Sequence, residues 1–124
     1  MKVIKSHRDL DVYNLAFELA MEIYEISKTF PIDEKYSLTD QIRRASRSVC
    51  SNIAEGFRKR RYPKSFVSKL SDSETEATET QTWLEFSFKC KYISLQQFNK
   101  LDNSYNNVIG KLVVMMNQSE KWSF

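Results

Sequence analysis

The 124-residue chain contains two glycines, two prolines, two cysteines and one histidine. So few turn-forming residues leave little material for the reversals of a β-rich fold, and they favour long helices. The one histidine, His7, lies in the N-terminal lead-in, so neither a histidine metal cluster nor a Ser-His-Asp triad can be assembled. No Gly-rich phosphate loop is present. The opening MKVIKSHRDLD has no apolar run of signal-peptide length, and no stretch approaches the roughly 20 apolar residues of a transmembrane helix. Cys50 and Cys90 lie in separate helical patterns, which predicts two buried free thiols in a reducing cytoplasm rather than a disulfide. There is no internal repeat. These absences set the expectation of one cytoplasmic, all-α domain with no enzymatic activity, cofactor, metal, membrane or small-molecule substrate.

What is present is helical periodicity. Val12, Ala16, Leu19, Ile23, Ile26 and Phe30 repeat at steps of three and four, predicting a helix over about 9–29 that Pro31 ends. Leu38, Ile42, Ala45, Val49, Ile53 and Phe57 make the buried stripe of a second helix, about 38–59. Ser37-Leu38-Thr39-Asp40 reads as its N-cap, close to a capping box. Gly56 falls on the buried side, where a missing side chain lets another backbone approach. Pro63 suits the first position of a third helix, about 63–91. That helix's inner face, Phe66, Leu70, Ser73, Ala77, Thr80 and Leu84, is small in the middle and predicts close packing there. Ser94 and Gln97 form a second capping box, opening a fourth helix over about 95–118 with Phe98, Leu101, Tyr105, Val108, Leu112 and Met115 inside. Gly110 stands off that stripe and hints at another close contact, whereas Trp122 and Phe124 have no evident place. Four such helices on short connections predict an antiparallel up-down-up-down four-helix bundle.

Charge is unevenly spread. The chain carries +3 overall, yet Leu38–Phe66 holds eight cations against Asp40 and Glu55, a local +6. At about 100° per residue, Arg43, Arg47, Arg58 and Arg61 share one direction away from the apolar stripe, with Arg44, Ser48, Asn52 and Glu55 on a polar flank. The third helix is the expected acidic complement, with Asp72, Glu74, Glu76, Glu79 and Glu85 and no cation between Leu70 and Phe88.

The stretch YSLTDQIRRASRSVCSNIAEGFRKR carries a Leu-Thr-x-Gln-Ile-Arg-Arg-Ala opening and an Asn-Ile-Ala-Glu-Gly close. It resembles the signature of the bacterial four-helix-bundle family known as 23S rRNA-intervening sequence proteins. Asp11-Val12-Tyr13, Ala16, Tyr24, Phe30-Pro31 and Glu34 also look like that family's first helix. The similarity spans roughly 9–92. A Gly-Ser pair frequent in the family's third helix is replaced here by Ser73-Glu74-Thr75-Glu76, so its small-residue packing is kept only in part. The basic loop Lys59–Arg61 is stronger than the family pattern. The resemblance implies a ring-like homo-oligomer, a pentamer. Related bundles are accessory proteins of diversity-generating retroelements, which implies a basic surface for RNA or for a reverse transcriptase-type protein.

Three readings of the cations are open. They form a solvated face or intramolecular pairs with helix three, each worth little when exposed. They form a subunit interface, in which Arg43, Arg44 and Arg47 meet a neighbour's carboxylates and Asn52, Glu55 and Arg44 share a hydrogen-bond network. Or Arg47, Arg58, Lys59, Arg60, Arg61 and Lys64 contact phosphates, for which the arginine fork is suited. Tyr62 either stacks on a base or packs against the start of helix three.

Overall fold

Short connections make each long helix reverse against its predecessor. In the computed structural model, which describes residues 3–124, these helices are α1 (Asp11–Ser27), α2 (Leu38–Arg58), α3 (Pro63–Lys89) and α4 (Leu95–Asn117). Met1 and Lys2, part of the opening stretch read above for a leader, lie outside the described residues. The four helices pack together as an all-α up-down bundle, closed by contact between α1 and α4, and a short α5 (Ser119–Trp122) follows. No strand occurs among the described residues, and no helix there is long and apolar enough to cross a membrane.

The stripes read from periodicity become the core. Val12, Ala16, Leu19 and Ile23 of α1 meet Ile42, Val49, Ile53 and Phe57 of α2, Phe66, Leu70, Ala77 and Leu84 of α3, and Leu101, Tyr105, Val108 and Leu112 of α4. The small middle of α3 is where α2 comes close, and these two helices share the most extensive contact in the bundle. Ser73 is fully buried and donates its hydroxyl to the Val49 carbonyl at 2.8 Å. A buried hydroxyl without a partner would be costly; this one binds the opposite helix. Gly56 belongs to the same approach. A methyl there would stand 3.1 Å from Leu70 Cδ2 and 3.3 Å from Lys69 Cβ.

Gly110 differs from the expectation. A methyl there would meet nothing within 4 Å, because the residue faces an open groove between α1 and α4 rather than a neighbouring backbone. The capping of α2 also departs from the Ser37 reading. Ser37 makes no side-chain cap; its hydroxyl donates instead to Glu34 Oε1 at 2.6 Å. Glu34, from a 3-10 turn at Ile32–Glu34, also accepts from the Leu38 N–H at 3.4 Å and the Tyr92 hydroxyl at 2.9 Å. Bonds from Ser37 and then Tyr92 lower the pKa of its carboxyl, a smaller effect of burial opposes them, and the Leu38 bond adds a still smaller lowering.

The α3–α4 turn closes in a Schellman arrangement, with Tyr92 N–H bonded to the Ser87 carbonyl and Lys91 N–H to that of Phe88, both at 2.9 Å. Lys91 takes the left-handed position at φ 66°, where glycine is usual. This early stop corrects the reading of the thiols. Cys50 is buried, and burial pushes its thiol up to about 11. Cys90 is exposed, because α3 ends at Lys89 and the residue caps the helix on its outer side.

Candidate functional site

The reversal between α2 and α3 decides where the cations gather. Lys59 caps α2 at φ −92° and ψ 9°, and its carbonyl accepts from the Tyr62 N–H at 2.9 Å. Pro63, whose missing N–H would have no helical partner at this position, opens α3 immediately afterwards. This tight turn collects Arg58, Lys59, Arg60, Arg61 and Lys64 at one end of the bundle, and all but the half-buried Arg60 are exposed. Tyr62 is exposed too.

Because α1 runs antiparallel to α2, its N-terminal approach reaches the same end. Ser6 caps a 3-10 turn, His7–Asp9, through a reciprocal box in which the Ser6 hydroxyl accepts from a turn N–H and Asp9 accepts from the Ser6 N–H. A groove of about 430 Å³ separates this turn from α2, lined by Ser6, His7, Arg8, Ala54, Glu55, Phe57 and Arg58. The His7 imidazole is held below its ordinary pKa, first by burial and then by the positive fields of Arg8 and Arg58. Arg8 therefore joins the cluster. Periodicity does not single it out, but the Ser6-x-x-Asp9 spacing is the local signal that this lead-in is folded.

Arg60 is the most constrained member. Its Nε donates to the Phe57 carbonyl at 2.9 Å and its guanidinium lies 3.7 Å from the Phe57 ring centroid. Desolvation, then repulsion from Arg58, lowers its pKa, though an arginine so placed stays cationic. The C-terminal residues also find a place here. Trp122 stacks on Phe66 with centroids 6.4 Å apart, and the Phe124 ring lies 4.9 Å from the Arg60 guanidinium and 5.3 Å from that of Arg61. Among the described residues, no carboxylate pairs with Arg8, Arg58, Lys59, Arg60, Arg61 or Lys64.

The other candidates lie further along α2. Arg43 donates from Nε to Ser27 Oγ at 2.7 Å and rests over the Tyr24 ring at 4.8 Å. Arg47 approaches the same ring at 5.6 Å, so both arginines clasp α2 to α1. Arg44 makes an exposed pair with Asp40 one turn earlier at 2.9 Å. Asn52 donates to the Ser48 carbonyl and hydroxyl. Glu55 pairs with Lys69 at 2.9 Å. Within the chain, Arg44, Asn52 and Glu55 are thus each occupied separately.

Complementarity between α2 and α3 also takes an unexpected form. Among the described residues the ion pair joining them is Lys69–Glu55, with the cation on α3. Glu74, Glu76, Glu79 and Glu85 make no ion pair there. Burial, then repulsion from Glu79 and Asp72, raises the pKa of the Glu76 carboxyl.

Comparison with known proteins agrees with this architecture. No curated protein matches the chain. A solved structure, a protein of unknown function from the S23 ribosomal protein family of Bacteroides thetaiotaomicron, is 26% identical with a TM-score of 0.76. The match covers 85% of this chain and 97% of that one. The sequence profile described as 23S rRNA-intervening sequence protein matches residues 8–114, from the Arg8 turn through all but the end of α4. Helix order, the Gln-Ile-Arg-Arg-Ala and Asn-Ile-Ala-Glu-Gly segments of α2, and that match lead to one conclusion: the chain belongs to the 23S rRNA-intervening sequence protein family.

Proposed function

We propose that this protein is a non-enzymatic, cytoplasmic homo-oligomer that binds RNA through the cations at the α2–α3 turn. The observation that carries the reading is the gathering of Arg8, Arg58, Lys59, Arg60, Arg61 and Lys64 with no carboxylate paired to any of them among the described residues. Like charges brought together repel, and an anionic partner relieves that repulsion. Planar guanidinium forks bind phosphate oxygens in pairs, and two flexible lysines add point charges.

Self-association has separate support. Phe17 and Met21 lie one turn apart on α1 and are 47% and 48% exposed. The α3 carboxylates without ion pairs offer sites for arginines of an adjacent copy, such as the exposed Arg44. A closed ring, a pentamer, is the assembly we propose.

A purely structural oligomer is the second reading, favoured by Arg43 and Arg47 being committed to Tyr24. Filter binding and mass measurement separate the two. RNA retention at low salt that is lost in Arg58→Ala/Lys59→Ala/Arg61→Ala/Lys64→Ala, with the oligomer intact, supports RNA binding. No retention by the wild-type oligomer contradicts it. A monomer in dilute solution contradicts both readings.

A further inference from the structure

The Phe124 ring lies against two guanidinium groups of the cation cluster, although most of its surface faces solvent. We propose that this ring occupies a stacking position for an unpaired nucleobase on Arg60 and Arg61, and that the segment from Ser119 onward covers it in the absence of RNA. The proposal rests on the RNA reading above.

The slot is rigid below and loosely filled above. Phe57 is fully buried and forms its floor, with the Arg60 guanidinium 3.7 Å from the ring centroid. The bond from Arg60 Nε to the Phe57 carbonyl fixes the remaining freedom of that side chain. A guanidinium held in this way offers a flat, partly desolvated cationic face, which attracts the π-face of any base without regard to sequence. The Phe124 ring already lies 4.9 Å from the Arg60 guanidinium and 5.3 Å from that of Arg61, so there is room for an aromatic ring there. Around it, Arg58, Lys59, Lys64 and Arg8 supply charges for the phosphates on either side of the stacked base.

The cover is displaceable. Phe124 is 68% exposed, so it buries little apolar surface. Trp122 holds α5 against Phe66 at the start of α3, and Ser123 is extended at φ −68° and ψ 151°, carrying the chain across the α2–α3 turn. With Trp122 as anchor, Phe124 can leave the slot without unfolding the bundle. A base that stacks there gains the contact that the phenyl ring gives up.

The test compares two labelled decamers of equal charge, oligouridylate and its abasic ribose-phosphate counterpart, against the full chain and Phe124→Ala. Uncovering the slot should tighten oligouridylate binding by about threefold, the worth of an exposed cation–π contact. The abasic strand, which cannot stack, should bind both proteins equally. Adding Arg60→Lys, which keeps the charge and removes the plane, should abolish the gain. Oligouridylate binding that is unchanged or weaker in Phe124→Ala overturns the covered slot and leaves RNA binding standing. Equal tightening of both strands also overturns it, because charge alone would then explain the gain. Failure of both proteins to bind either strand at low salt overturns the RNA reading as well.

Discussion

The two glycines give a paired test of how α2 and α3 pack. Alanine is the better helix former by about 0.8–1.0 kcal/mol at either position. At Gly110 nothing opposes that gain, since a methyl would meet no atom within 4 Å. Gly110→Ala should stabilise the protein by about 1 kcal/mol, or roughly 4 °C in Tm for a domain of this size. At Gly56 the same gain meets contacts at 3.1 Å and 3.3 Å. Leu70 is fully buried, and Lys69 Cβ is fixed to the α3 backbone, so neither yields without moving the helix. Overpacking of this kind costs about 1–3 kcal/mol. Subtracting the propensity gain leaves Gly56→Ala destabilised by up to about 2 kcal/mol. Urea titration measures both, with stability read from the midpoint at unchanged slope. If Gly56→Ala stabilised as much as Gly110→Ala, the close approach of α2 to α3 at Gly56 would be refuted.

Lys91→Gly relieves a left-handed residue in the α3–α4 turn and should raise stability by about 0.5–1 kcal/mol; a loss in urea titration would contradict the turn geometry. Of the two thiols, Cys90 should react with a chromogenic disulfide at once and Cys50 only on unfolding, since burial holds the Cys50 thiol protonated well above neutral pH. Two fast thiols would contradict that burial. The pKa of Glu34 is lower folded than unfolded, so its bonds stabilise above its ordinary range near 4.5, and this contribution is lost as pH falls through the depressed folded value. Glu34→Gln should therefore be less stable than wild type at neutral pH and converge with it in acid. A gap that persisted in acid would exclude the linkage.

The architecture was legible because a helix's buried side is written in its own spacing. All four apolar stripes, the Pro63 start, the Ser94 cap and the Gly56 approach follow from local pattern and appear in the structure. What periodicity does not contain is the neighbour. It gives the direction in which Arg43 points from α2, but not that Ser27 and Tyr24 of α1 are waiting there. It placed an acidic helix beside a basic one, whereas the α2–α3 ion pair among the described residues has Lys69 on α3 and Glu55 on α2, next to the close contact at Gly56. Ser37 carried the right residue type for a cap, but Glu34 took its hydroxyl from outside the helix. The lead-in and the tail have too little periodicity to read, so Arg8 and Phe124 reached the cluster only through tertiary folding.

RNA affinity as a function of salt tests the central claim most directly. Each phosphate neutralised on a single strand releases counterions and contributes about −0.7 to the slope of log K against log salt. Four to six cations in contact predict a slope of about −3 to −4 for the wild type. Replacing Arg58, Lys59, Arg61 and Lys64 by alanine should reduce it to between zero and about −1.4, the share left to Arg8 and Arg60, with the oligomer intact. A wild-type slope near zero, or one unchanged by those substitutions, would contradict an RNA site at the α2–α3 turn.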